Sequence, residues 1–146
     1  MVIDSSRKAL IVAGAAQEKY ADDVLALDLR QLSSVADFFI IATAASRPQA
    51  RAIVEAVEHA LHRHHMRARP VEGLQSRVTQ PHRRLGRPPS AEEFSWVVVD
   101  CGDIVLHVFD PPTRTFYQLE RLWGDAPRLP LDLPTPAPVL SGRPGQ

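Results

Sequence analysis

Three aspartates at the ends of short apolar runs are the first candidates for chemistry in this sequence. They are Asp28, Asp100 and Asp103. Carboxylates at strand ends can hold magnesium for nucleotidyl transfer, so a magnesium-dependent transferase is one alternative. However, the sequence around them has no glycine-rich phosphate loop, and the pair that flanks Cys101 and Gly102 is equally typical of a hairpin turn.

Histidine and cysteine are the other residue types here that could bind a metal or act as nucleophiles, but their spacing in the sequence does not predict a site. Four histidines lie close together, at His59, His62, His64 and His65. On a helix these positions do not converge on one point, as metal ligands must, so we predict solvated helix surface, no metal site and no cofactor. Cys101 is the single cysteine, which excludes an internal disulfide, and it has no neighbouring base in sequence.

Arginines are concentrated in the stretch 75–95, which also contains several prolines and has no helical or strand period. We therefore predict an inserted loop there. Arg83, Arg84 and Arg87 are its candidates for contact with nucleic acid, and a direct RNA-binding module is a second alternative. The 17 Lys and Arg residues balance 17 Asp and Glu residues. That balance argues against a protein that binds nucleic acid mainly through a net positive charge.

The elements that must position these residues follow from apolar periodicity and capping signals. Asp4 and Ser46 are predicted N-caps of helices ending near Tyr20 and His65. Strands are predicted at about 24–29, 38–43, 67–72, 96–100 and 104–109, and a last helix at 113–123. The fold class is therefore α/β (α+β), with a single mixed β-sheet of about five strands covered by helices. No apolar run approaches the roughly 18 residues of a membrane span.

Proline and composition divide the 146 residues into two parts. Residues 1–123 are predicted to form one domain that includes the inserted loop. Residues 124–146 contain six of the 13 prolines and are predicted to be a Pro-rich C-terminal tail. Because Leu129, Leu131 and Leu133 alternate, the first part of this tail could lie extended against the domain.

The predicted hairpin of strands 96–100 and 104–109 has two different faces. We predict a two-residue turn at Cys101 and Gly102, which pairs Asp100 with Asp103, Val98 with Val105 and Trp96 with His107. The other face is aliphatic and belongs under the helices. The face with Trp96 is either a second core layer, in which the indole finds an ordinary hydrogen bond, or a surface for a partner; periodicity leaves both open.

Several segments, taken together, resemble the ribosomal silencing factor family (RsfS, also called Iojap). The resemblance covers roughly residues 5–127 and lies in the family's order. It rests on the segments 23–29 (DVLALDL), 33–43 (SSVADFFIIAT), 45–47 (ASR), 71–73 (VEG), 96–100 (WVVVD), 102–109 (GDIVLHVF) and 117–127 (YQLERLWGDAP).

The resemblance implies a nucleotidyltransferase-like fold without catalytic apparatus, and hence no enzyme. It implies a protein that binds the large ribosomal subunit through ribosomal protein L-fourteen. There it sterically blocks joining of the small subunit and represses translation when nutrients fall. A cytoplasmic location is the default prediction from the sequence itself. Minor contact with ribosomal RNA and homodimers are also expected. The resemblance maps a tryptophan, an aspartate and a histidine of the family onto Trp96, Asp100 and His107, which the predicted hairpin register places on one face. The predicted partner-binding residues are Trp96, Val98, Asp100, Asp103, Val105 and His107 on that face, with Phe116, Tyr117 and Glu120 of the last helix bordering it.

Overall fold

The structure, a computed structural model, describes residues 4–72 and 94–131. Its strands are β1 (Asp22–Asp28), β2 (Phe38–Thr43), β3 (Arg69–Glu72), β4 (Trp96–Asp100) and β5 (Ile104–Phe109). Its helices are α1 (Ser5–Glu18), α2 (Arg47–His62), α3 (Pro111–Tyr117) and α4 (Leu119–Leu122). None of the helices in the described part of the chain has the length and apolar character needed to cross a membrane.

The strands form one mixed sheet in the order β1-β2-β5-β4-β3. Strands β2 and β5 run parallel at its centre, and the other neighbours are antiparallel. Four strands of five to seven residues make up most of the sheet, and the four-residue β3 lies at one edge. The predicted α+β class and mixed sheet are confirmed.

Helices α1 and α2 cover one face of the sheet and begin where the sequence places their caps. The Asp4 carboxylate accepts a hydrogen bond from the Arg7 amide at 3.0 Å, and the Ser46 hydroxyl accepts one from the Gln49 amide at 3.2 Å. These bonds satisfy amides that the first helical turn leaves without partners. Between helices and sheet lies the main core, which includes Val12, Ile40, Ile53, Val57, Val97, Val99 and Leu106.

The opposite face is covered in part by α3, α4 and the chain that follows them. Instead of the continuous helix predicted at 113–123, the structure has two helices separated at Gln118, whose φ of 48° is left-handed. The prediction was wrong here because packing onto the sheet overrides helix propensity. A second core cluster forms beneath these elements, with Leu27, Leu29, Ile41, Phe109 and Ala126 buried.

The chain after α4 runs along the outer edge of β1. The Asp28 amide donates to the Pro127 carbonyl at 2.7 Å, and the Leu129 amide donates to the Ala26 carbonyl at 2.8 Å. Leu129 and Leu131 pack against the main core. The prediction that the first part of the tail lies extended against the domain is confirmed up to residue 131. Residues 132–146 lie outside the described residues.

Most of the inserted loop predicted at 75–95 also lies outside the described residues. Its last two residues do not behave as a loop. Phe94 is 4% exposed and Ser95 is 6% exposed, and the Asp110 amide donates to the Ser95 carbonyl at 2.9 Å. These two residues therefore belong to the packed domain.

Candidate functional site

The β4–β5 hairpin has a different register from the predicted one. Trp96 lies opposite Phe109, Val98 opposite His107 and Asp100 opposite Val105. The loop residues are Gly102 and Asp103, and Gly102 has a φ of 88° that favours glycine. The predicted pairs Trp96–His107, Val98–Val105 and Asp100–Asp103 were therefore wrong. The shift is by two residues, so the faces of the two strands are unchanged.

Trp96 lies at the centre of a group of aromatic rings on the face opposite α1 and α2. Its ring centroid is 4.8 Å from that of Phe109, 4.9 Å from that of Tyr117 and 5.9 Å from that of His107. The indole Nε1–H donates to His107 Nδ1 at 3.1 Å, diagonally across the hairpin. Trp96 is half-buried. It therefore takes part in packing and still presents surface to solvent.

His107 is the buried polar group beneath Trp96. It is 6% exposed, and burial lowers its pKa from 6.5 to about 4, so the ring is neutral at pH 7. Because Nδ1 accepts the indole hydrogen bond, Nε2 must carry the ring's proton. Nε2 is buried and has no hydrogen-bond partner among the described residues. Protonation of Nδ1 would replace an acceptor with a donor and break the bond to Trp96.

Beside these rings lies a half-open apolar surface. Phe39 on β2 is opposite Val105 on β5, and Val98 on β4 is opposite His107. Phe39, Val98 and Val105 are half-buried, and the ring of Phe39 is 4.6 Å from that of His107, centroid to centroid. We call Phe39, Trp96, Val98, Val105 and His107 the aromatic face. Phe39 completes this face but was not predicted as a site residue. The signal that could have identified it was its position in the apolar strand β2, which pairs with β5.

The residues predicted to border this face have different positions. Tyr117 packs on Trp96, and the ring of Phe116 meets that of Tyr117 edge-on at 4.9 Å. Phe116 is 60% exposed, and Leu122 on α4 is 74% exposed. Glu120 instead forms an internal ion pair with Arg114, with Oε2 3.4 Å from the arginine Nε. Arg114 was missed by sequence reasoning because nothing in its spacing marks it.

The three aspartates do not gather into one site. Asp28 forms an ion pair with Arg30 at 2.7 Å, Asp100 with Arg69 at 3.2 Å, and Asp103 with Lys8 at 3.1 Å. Hydrogen bonds lower the pKa of two of these carboxyl groups. The side-chain hydrogen bond from Arg30 lowers the pKa of Asp28, and the hydrogen bond from the Gly102 amide lowers the pKa of Asp100.

Asp103 in particular is not part of the aromatic face. Its carboxylate contacts Lys8 on α1, the helix on the other side of the sheet. Its predicted place beside Asp100 was therefore wrong, because the loop contains Asp103 itself and turns its side chain towards α1. Asp100 does lie on the same face as Val105, at its edge, where it is paired with Arg69.

The remaining candidates add no site within the described residues. The four histidines of the stretch 59–65 are exposed, and residues 4–72 and 94–131 contain no group of three or more side chains arranged to hold a metal ion. Cys101 is buried, and burial raises the pKa of its thiol to about 12, which makes it a poor nucleophile. Arg83, Arg84 and Arg87 lie outside the described residues.

Comparison with known proteins decides between the alternatives. The family described as "Ribosomal silencing factor during starvation" matches residues 2–142 of this chain. The chain belongs to the ribosomal silencing factor family. The resemblance seen in the sequence is thereby confirmed, and the family is one of regulators rather than enzymes.

Individual relatives agree with this membership. The chain is 37% identical over 122 residues to the ribosomal silencing factor RsfS of Bacillus subtilis, which covers 84% of this chain and 89% of the relative. It is 32% identical over 126 residues to the chloroplastic protein Iojap of Arabidopsis thaliana, covering 84% of this chain and 44% of that longer protein. A crystal structure of a protein from Bacillus halodurans superimposes with a TM-score of 0.60 at 29% identity, over 83% of this chain and 94% of the other.

Proposed function

We propose that this chain represses translation by binding the large ribosomal subunit and preventing the small subunit from joining. The observation that supports this most directly is the family match over residues 2–142. A repressor of this kind requires a non-catalytic surface on which a large partner can dock. The aromatic face is the best candidate for that surface.

The composition of the aromatic face suits a protein partner. Phe39, Val98 and Val105 are half-buried apolar side chains beside an aromatic ring, and Asp100 and Arg69 form a charged pair at the edge. Protein interfaces characteristically have an apolar centre rich in aromatic residues and a polar rim. We propose that the ribosomal protein L-fourteen occupies this face and that Trp96, Val98, Val105, Phe116 and Tyr117 contact it.

Two finer parts of the proposal rest on the family resemblance: the capacity to form homodimers, and a fold related to that of nucleotidyltransferases. Cytoplasmic action is the default prediction from the sequence, and minor contact of Arg83, Arg84 and Arg87 with ribosomal RNA rests on the positive charge of these residues. Retention of a transferase activity is not proposed, because Asp28, Asp100 and Asp103 each have a separate cationic partner.

Sedimentation with purified ribosomal particles tests the function. The full chain is mixed separately with large subunits, small subunits and joined ribosomes and centrifuged through a sucrose cushion. We expect the chain in the pellet with large subunits alone, and we expect its prior addition to reduce the formation of joined ribosomes. Equal recovery with small subunits, or binding with no effect on joining, would contradict the proposal.

A charge on the aromatic face tests the surface. Val98→Glu places a carboxylate on the half-buried side chain opposite His107, which should abolish binding because an unpaired charge cannot be buried at low cost. Leu10→Glu is the matched control, since Leu10 is a half-buried residue of α1, on the other side of the sheet. Circular dichroism verifies that both variants fold. If the two variants bind large subunits equally well, the face is assigned wrongly.

A further inference from the structure

Arg114 makes polar contacts with three other elements on the sheet face that carries Trp96. Its Nη1 donates to the Asp23 carbonyl and to the Thr43 hydroxyl, both at 2.7 Å, and its Nε donates to Glu120 at 3.4 Å. The Arg114 side chain is 11% exposed. One guanidinium therefore joins α3 to β1, to β2 and to α4, and little of it is available to solvent or to a partner.

The site that receives Arg114 is an irregular point in the sheet. The pairing of β1 with β2 shifts register between Asp22 and Leu25, and Asp23 within that shift has a φ of 50°. A bulge of this kind redirects backbone groups that regular pairing would use. Here the Asp23 carbonyl is turned so that it accepts from Arg114. The Thr43 hydroxyl beside it belongs to the last residue of β2.

The helix held in this way also carries Tyr117. Tyr117 is the last residue of α3, and the Gln118 amide closes the helix by donating to the Arg114 carbonyl at 2.8 Å. The Tyr117 ring lies against Trp96 at 4.9 Å between centroids. Helix α3 has only seven residues, and a helix this short is not stable without tertiary contacts. Its placement must therefore come from tertiary contacts.

We propose that Arg114 is a positioning residue for the ribosome-binding surface: it fixes α3 on the β1 bulge and thereby sets Tyr117 against Trp96. Arg114 itself does not contact the partner. This inference rests on the proposed function for its consequence in binding, but the geometry it describes exists in the free protein. An arginine suits the role because its planar fork donates in several fixed directions, which a lysine ammonium does not reproduce.

The effect on binding follows from the population of the competent surface. Without the guanidinium, α3 samples positions in which Tyr117 leaves Trp96. If the competent arrangement falls to about a tenth of the molecules, the apparent affinity falls about tenfold, with the intrinsic contacts unchanged. The same loss should change the surroundings of the Trp96 indole.

The experiment compares two pairs of variants in the full-length chain. Arg114→Met removes the fork and keeps an apolar stem, and Arg51→Met is its control on an exposed position of α2. Thr43→Val removes only the acceptor hydroxyl, and Thr43→Ser keeps it. Each protein is measured by large-subunit binding and by the ¹⁵N-¹H resonance of the Trp96 indole, assigned with a Trp123→Phe variant.

We expect Arg114→Met and Thr43→Val to shift or broaden the Trp96 indole resonance and to weaken binding, about tenfold for Arg114→Met. Arg51→Met and Thr43→Ser should match the parent in both measurements. An unchanged indole resonance in both Arg114→Met and Thr43→Val would overturn the proposal. If Arg114→Met does not fold, the Thr43 pair decides by the same criteria.

The two proposals fail in distinguishable ways. If the parent chain does not bind large subunits, the proposed function is wrong, and the indole resonance still tests the positioning role. If the parent binds and Arg114→Met binds as tightly, the proposed function stands and the role assigned to Arg114 in binding is wrong.

Discussion

His107 should make the stability of this protein depend on pH between about pH 6.5 and pH 4. Burial lowers its pKa from 6.5 to about 4 in the folded chain. The unfolded chain therefore takes up a proton as the pH falls below 6.5, and the folded chain does not until about pH 4. Since the unfolded state binds more protons within this window, lower pH favours unfolding.

The size of the effect follows from the size of the pKa shift. Each pKa unit corresponds to about 1.4 kcal/mol, so the shift of His107 should reduce the free energy of unfolding by about 3 kcal/mol between pH 7 and pH 4. Protonation in the folded state would also break the hydrogen bond from the Trp96 indole. The aromatic face should therefore loosen towards pH 4 even in molecules that remain folded.

Urea unfolding at a series of pH values measures this dependence. We compare the parent with His107→Gln and with His59→Gln, which removes an exposed histidine of α2. His59→Gln should follow the parent. In His107→Gln the free energy of unfolding should fall much less between pH 6.5 and pH 4 than in the parent. Carboxylates such as Asp28 and Asp100 will still contribute to the fall near pH 4. If His107→Gln and the parent decline in parallel through this window, His107 is not the group responsible.

Two further predictions concern the boundaries of the domain. The free energy of unfolding, measured with urea, should be about 2–3 kcal/mol lower for a chain ending at Asp125 than for one ending at Pro134. The shorter chain lacks the backbone hydrogen bonds to β1 and the buried Ala126. Equal free energies of unfolding would show that residues 126–131 are dispensable for stability. Replacing residues 75–93 with a short Gly-Ser linker should change the midpoint of thermal unfolding by only a few degrees. Replacing residues 75–95 should lower the free energy of unfolding by about 3 kcal/mol more, because it also removes Phe94, which is 4% exposed. Equal midpoints for the two replacements would show that Phe94 contributes nothing to the core.

The hairpin shows how far the sequence could predict this structure. Alternation along β4 and β5 identified the strands and their faces, because side chains alternate with a period of two. The same period makes a shift of two residues invisible, since every side chain keeps its face. Only the turn distinguishes the registers. The sequence prediction placed the turn one residue early, and it consequently put Asp103 on the aromatic face rather than beside Lys8.

The contacts made by α3 and α4 could not be predicted for a different reason. The residues from Thr113 to Trp123 include no glycine or proline that would end a helix, yet Gln118 adopts a left-handed conformation. The break depends on how the chain packs onto β1 and β2, including the contact of Arg114 with the bulge at Asp23. Such long-range contacts leave no local signal. Arg114 was missed for this reason, although Tyr117, three residues further along the same helix, was among the predicted partner-binding residues.

Trp96 has the packing contacts of one role that the sequence left open and the exposure that the other requires, and its contact with a partner is part of the proposed function. Its ring packs on Phe109 and Tyr117 and its Nε1–H is bonded to a buried histidine, as in a second core layer, yet it is half-buried at the border of an open apolar surface. Truncating Trp96 should therefore reduce folding stability and partner affinity together, so it cannot separate the two roles. Val98 is the better test, because it is half-buried on the same face and is not itself one of the packed aromatic rings.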